Sequence, residues 1–165
     1  MGFLAVDPGL RGCGVAYFAD DKLRLAAYVV GKYQHGRGPE VWRGMASAVR
    51  KWWGETAALD GLVLEVPEIY PGMPKTDPND LIDLAGVDGA LAAAFAVPAV
   101  YYLPRQWKGQ VPKEVGVLRA LAHLSDEERK CVRPAPMKSL DHNVADAVGL
   151  GLYHVGRFRQ VKVFR

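Results

Sequence analysis

The chain has 165 residues, 50% of them hydrophobic and 24% charged, which fits one domain spanning 1–165 and excludes a disordered tail protein. Its net charge of +3 conceals a division, because residues 1–104 hold nine Lys/Arg against twelve Asp/Glu and residues 105–165 hold twelve against six. The late excess runs into a basic tail over 157–165, with Arg157, Arg159, Lys162 and Arg165, and points to a polyanionic partner. No membrane span is expected: the longest nearly uncharged stretch, Gly89 to Pro104, is too short and Pro98 interrupts it. Met1-Gly2-Phe3 lacks a basic segment ahead of an apolar one, and Cys13 and Cys131 form neither a disulfide framework nor a zinc motif. The expected setting is the reducing cytoplasm, with two free thiols.

Phe3-Leu4-Ala5-Val6 reads as a buried strand that stops at Asp7-Pro8-Gly9. Gly12 and Gly14 lead into a second strand at Val15–Phe18, and Asp20-Asp21 separate it from a third at Leu23–Val30. From Pro39 to Trp53, Val41, Met45, Val49 and Trp52 recur at helical spacing, with Gly54 as the stop. Leu62-Val63-Leu64 is a fourth strand that runs directly into Glu65 before Pro67 ends it. Asp77-Pro78 opens a helix whose apolar stripe is Leu84, Val87, Leu91 and Phe95, and whose Asp80, Asp83 and Asp88 read as a solvated face or a helix-start charge. A fifth strand, Ala99 to Leu103, closes at Pro104. Helices follow at Glu114–His123, after a capping box of Ser125 and Glu128, and from about Asn143 to Phe158 with Asp141 at its start. The order is that of an α/β chain with an antiparallel opening and later crossovers.

Asp7 and Glu65 each stand at the end of a buried strand, where an unpaired charge is costly. If those strands are neighbours, the two carboxylates converge at one sheet edge, and the last helix can bring Asp146 to them. Three acids in one place raise one another's pKa, so a hard divalent cation is the natural remedy. Oxygen ligands favour magnesium or manganese over zinc.

Leu4-Ala5-Val6-Asp7-Pro8-Gly9, followed by Gly12-Cys13-Gly14-Val15-Ala16, resembles the opening of the RuvC-type Holliday junction resolvases. Leu64-Glu65 resembles that family's second acidic site, Ala145-Asp146-Ala147 its C-terminal Ala-Asp-Ala segment, and Pro104-Arg105-Gln106 the start of its basic DNA-facing region. The resemblance implies a ribonuclease-H-like fold, a mixed five-stranded sheet flanked by helices on both faces. It further implies a homodimer acting in DNA recombination and repair that cuts two opposed strands of a four-way junction, leaving 5′-phosphate and 3′-hydroxyl ends. Asp7, Glu65 and Asp146 would then be catalytic, metal-binding carboxylates around two Mg2+ ions about 4 Å apart, with Mn2+ as a substitute.

The family places Asp or His three residues before the last Asp, and this chain has Asn143 there. Asp141 is expected as the fourth metal ligand and catalytic acid, since a second ion favours charge; it is equally suited to cap the helix. His142, four before Asp146 and on its helical face, is the rival, and the carbonyl of Asn143 a weaker one. Arg105, Lys108 and Lys113, with Trp107 among them, suit phosphate contacts and stacking on an opened base, and Tyr70 could stand near a junction centre. Glu68 reads as a supporting or surface acid.

An Asp followed by glycines after a first strand also resembles actin-like ATPases and sugar kinases, but that fold needs two such halves and 165 residues do not hold them; no nucleotide cofactor is expected. Two alternatives keep the nucleic acid. One is a nuclease of the same fold for flaps, forks or RNA–DNA hybrids. The other is a junction-binding protein that does not cut, against which the joint presence of Asp7, Glu65 and Asp146 argues.

Overall fold

The computed structural model describes residues 1–33, 35–54, 58–69, 77–109 and 113–158. Strands β1 (Gly2–Asp7), β2 (Gly12–Ala19) and β3 (Lys22–Val30) form an antiparallel meander. Asp20 and Asp21 take φ of 52° and 60°, the left-handed conformation of a two-residue hairpin turn, which short polar side chains tolerate. Helix α1 (Pro39–Trp53) then leads to β4 (Gly61–Glu65), and α2 (Pro78–Phe95) to β5 (Ala99–Tyr102). Both new strands run parallel to β1, giving the sheet order β3-β2-β1-β4-β5. Four further helices follow: α3 (Pro104–Trp107), α4 (Lys113–Ala122), α5 (Asp126–Lys130) and, after a 3-10 turn at Lys138–Leu140, α6 (Asp141–His154).

The alternation of each strand fills two cores. Leu4, Val6, Leu62 and Leu64 face Met45, Val49, Val87 and Leu91 of α1 and α2. Ala5, Ala16, Phe18 and Val63 face Val144, Ala147, Val148 and Leu152 of α6. The sheet is therefore covered on both sides, as an α/β sheet with crossover helices must be.

The caps expected for α2 and α5 are present: Asp77 accepts from the Asn79 N–H, and Ser125 and Glu128 bond reciprocally. Two expectations need correction. Helix α6 starts two residues earlier and ends four earlier than the apolar stripe suggested. Gly156 takes φ 73° just past it, its N–H donates to the Tyr153 carbonyl and that of Arg157 to the Leu152 carbonyl, a glycine stop that the apolar run concealed. Of the α2 aspartates, Asp80 is the helix-start charge expected, in the first turn and paired with Arg37, but Asp83 and Asp88 are buried rather than solvated. Asp83 accepts from the Gly38 N–H and the Trp42 indole and so ties α2 to the start of α1.

Candidate active site

In the β1–β4 ladder Val6 stands opposite Leu64, so Asp7 and Glu65 end adjacent parallel strands at the same sheet edge. Strand alternation turns both away from Val6 and Leu64, toward the face covered by α6. Helix α6 reaches this edge because β2 has no side chain in its way. Gly14, the ladder partner of Asp7, lies so close to the first turn of α6 that a Cβ there would stand 1.9 Å from the Asn143 carbonyl oxygen. One turn further along, Asp146 is buried and its charge acts on Asp7 and Glu65.

Trp107 and Lys108 complete the cluster. The Trp107 indole N–H donates to Glu65 Oε2 at 2.8 Å, and Gly149 of α6 leaves the space its ring fills. Lys108 Nζ donates to Asp146 Oδ2 at 2.5 Å. Desolvation, followed by the charges of Glu65 and Asp146, holds the Asp7 carboxyl well above the usual range, and Lys108 opposes the rise. Desolvation also raises Glu65, against the pull of Lys108 and the Trp107 hydrogen bond. For Lys108, burial pulls downward, but Glu65, Asp146 and Asp7 together keep its ammonium above the ordinary lysine value.

The other expected ligands of α6 divide by face. Asp141 Oδ1 accepts from the Ala135 N–H at 3.0 Å and lines a groove with Val117, Leu121 and Val144. Five residues separate it from Asp146, a rotation of about 140° around the helix, so its carboxylate serves the preceding loop and is not brought to the cluster. His142 and Asn143 are half-buried and lie on the same side as Asp146.

The residues expected to meet DNA also separate. Trp107 is 2% exposed and inside the α6-side core, so it orients Glu65 and offers no face to a base. Lys108 points inward to the acids. Arg105 is exposed and pairs with Glu68 at 3.1 Å. Arg157, the first basic residue of the tail, is a structural clamp: it holds both carboxylate oxygens of Glu128 and the carbonyls of Asp21 and His123. Tyr70 and 159–165 lie outside the described residues, as does the side chain of Lys113.

One acid was missed. Asp88 is 4% exposed, and neither of its carboxylate oxygens has a hydrogen-bond partner among the described residues. Burial, then the nearby Glu65, pushes its carboxyl up to about 8. Its place four residues after Leu84 and three before Leu91 put it on the apolar stripe, which was the available signal. Cys13, beside it, has its thiol pushed up to about 12 by burial and is chemically quiet.

Among the described residues no three acidic, histidine or cysteine side chains converge tightly enough to hold a metal ion as they stand. The donor set nonetheless suits a hard divalent cation: the carboxylates of Asp7, Glu65, Asp88 and Asp146 share the region with the Lys108 ammonium, and both oxygens of Asp88 are unclaimed.

Comparison with solved structures gives RuvC of Thermus thermophilus at a TM-score of 0.60 and 17% identity, covering 98% of this chain and all of that one. T. thermophilus RuvC in complex with a Holliday junction substrate gives 0.61 at 21% identity, covering 93% of this chain and 92% of that one. The chain has the fold of RuvC. The yeast mitochondrial Holliday junction resolvase Ydc2 shares it too, at a TM-score of 0.52 and 10% identity over 94% of this chain and 80% of Ydc2. No protein-family model and no curated protein matches the sequence. The RuvC-like, ribonuclease-H-like architecture expected from Asp7-Pro8-Gly9 and its companions is therefore present, and no helix among the described residues is long and apolar enough to cross a membrane.

Proposed function

We propose that this chain is a metal-dependent endonuclease that resolves four-way DNA junctions by paired nicks. The observation that carries the reading is the meeting of Asp7 and Glu65, from adjacent parallel strand ends, with Asp146 from α6. The fold shared with RuvC, one example of which is bound to a Holliday junction, supports branched DNA as the substrate class.

Asp7, Glu65 and Asp146 would hold two Mg2+ ions, or Mn2+ in their place, which when bound activate a water and stabilise the leaving 3′ oxygen in an in-line displacement at phosphorus. The products carry 5′-phosphate and 3′-hydroxyl ends. Trp107 fixes the orientation of Glu65. Lys108 balances the charge of the acids, and its ammonium beside them would be placed to meet a phosphate oxygen of the substrate. His142 and Asn143 stand on the correct face of α6 to assist Asp146. Arg105, with Lys113 and the tail beyond Phe158, would track the DNA backbone. Two active sites are needed for two opposed nicks, so the working form is a homodimer.

Asn143 at a position where an acid or histidine is the pattern, together with the lysine already seated among the acids, favours as second reading a protein that binds junctions without cutting. A synthetic four-way junction, a matched linear duplex, a flap, a fork and an RNA–DNA hybrid, each with Mg2+, Mn2+ or EDTA, distinguish the readings by gel retention and strand cleavage. Paired symmetric nicks on the junction alone, dependent on metal, are expected. Retention without nicks in Mg2+ or Mn2+ would establish the binding protein, and preferred cutting of flaps, forks or RNA–DNA hybrids would keep the active site and replace the substrate.

A further inference from the structure

The two buried aspartates of α2 have opposite surroundings. Asp83, 5% exposed, has the Gly38 N–H at 2.9 Å, the Trp42 indole N–H at 2.7 Å and the Arg37 guanidinium at 4.0 Å. Asp88, as deeply buried, has no hydrogen-bond partner on either oxygen among the described residues, and the groups acting on it or acted on by it there are Glu65, Asp7 and Cys13. A carboxylate taken out of water with no donor and more acids beside it is among the most destabilising arrangements a core can contain. An asparagine or leucine would be less costly at this position on the Val87–Leu91 stripe, unless the carboxylate meets a cation there. On α6, Asp141 is committed to Ala135 and Asn143 is neutral, which leaves Asp146 as the acid that this helix turns toward Asp7 and Glu65.

From this burial and these unclaimed oxygens, we propose that Asp88 is a ligand of the second divalent cation, supplied from α2. The inference rests on the metal-nuclease reading above and adds a ligand to it. The strand edge would then receive acids from both layers, Asp146 from α6 and Asp88 from α2, with Asp7 and Glu65 between them.

The test counts metal ions with no DNA present. Wild type, Asp88→Asn and Asp7→Asn are titrated with Mn2+ by calorimetry, with bound Mn2+ checked by electron paramagnetic resonance, and each is melted in EDTA. Wild type is expected to take two ions per chain and Asp88→Asn to lose one, or to hold it at least about tenfold more weakly. Asp88→Asn should melt in EDTA no lower than wild type, since the amide removes the cost of protonating the carboxylate or burying its charge. Should it fail to fold, Asp88→Ser serves in its place. Unchanged stoichiometry and affinity in the Asp88 variant, alongside loss of Mn2+ in Asp7→Asn, would overturn the role of Asp88 alone and leave the nuclease reading standing. A wild type that binds no Mn2+ would overturn both.

Discussion

Lys108 Nζ lies 2.5 Å from Asp146 Oδ2, so the residue just past α3 reaches the helix on which the third acid is carried. This ammonium acts on Asp7 and Glu65 as well. The protein thus carries its own cation for the acid cluster, and a metal ion bound at the same carboxylates must compete with it. Stability without metal and affinity for metal are set against each other through one side chain.

Lys108→Met should separate the two quantities. Without metal the variant is expected to lose about 1–3 kcal/mol, less than for a fully buried pair because a quarter of the lysine side chain is exposed. With Mn2+ the ion meets no competitor and binds more tightly. Melting both proteins in EDTA and in Mn2+ should show a wider gap for the variant than for wild type, and an equal gap would mean that lysine and metal occupy independent places.

Asp7→Asn should abolish cutting and leave junction binding intact. The Asp7 carboxyl is held well above the usual range by desolvation and by Glu65 and Asp146, so its charged form destabilises the metal-free fold. The amide should raise stability in EDTA by on the order of 1 kcal/mol. Gel retention, cleavage and a thermal melt on one preparation check all three expectations. Loss of junction binding would assign Asp7 a structural role.

The parts of the site that could be read in the sequence are those fixed by strand ends. Asp7 and Glu65 each follow a short apolar run, and parallel pairing of those runs brings the acids together with no further information. Asp146 was legible through the resemblance of Ala145-Asp146-Ala147, within an apolar helix, to the C-terminal Ala-Asp-Ala segment of the RuvC-type resolvases. Asp141 was misplaced because the choice between capping, loop support and ligation depends on Ala135, six residues back, whose amide takes the carboxylate. Trp107 and Lys108 were read as DNA contacts because aromatic and basic residues in a loop look the same whether they point outward or inward; their direction is decided by Gly149 and Asp146, about 40 residues away. Asp88 was set aside as solvated by its charge alone, although its position on the Leu84–Leu91 stripe placed it inside.

Gly14→Ala tests whether the seating of α6 positions Asp146. The new methyl group would stand 1.9 Å from the Asn143 carbonyl oxygen and 2.3 Å from its carbon, and a helix backbone cannot yield as a side chain does. The helix must shift away from β2, with an expected loss of about 2–3 kcal/mol and of most cutting. Gly89→Ala is the control: nothing lies within 4 Å of a Cβ there, and an alanine inside α2 should be neutral or stabilise by up to about 1 kcal/mol. Urea unfolding of the pair measures the contrast. Equal stabilities would mean that α6 tolerates displacement.

Glu128 is expected to contribute to the acid stability of the fold. Its carboxylate receives Arg157 at 2.6 and 2.8 Å and the N–H groups of Leu23 and Ser125. The Arg157 hydrogen bonds, against the opposing effect of burial, lower its pKa from an ordinary 4.5 to about 2. A depressed folded pKa means stability fully present above the unfolded value and lost as pH falls toward the folded one, here between 4.5 and about 2. The amount is roughly 2–3 kcal/mol. The acids at the strand edge act in the opposite sense, since Asp7, Glu65 and Asp88 have raised pKa values and, without metal, give up stability as pH rises. A single stability curve therefore mixes both contributions, and the difference between wild type and Glu128→Gln isolates the first. In EDTA that difference should be constant from neutral pH down to about 5, shrink across the window below it and nearly vanish near pH 2. A difference that stays constant down to pH 2 would show that the Arg157 clamp does not depend on the charge of Glu128.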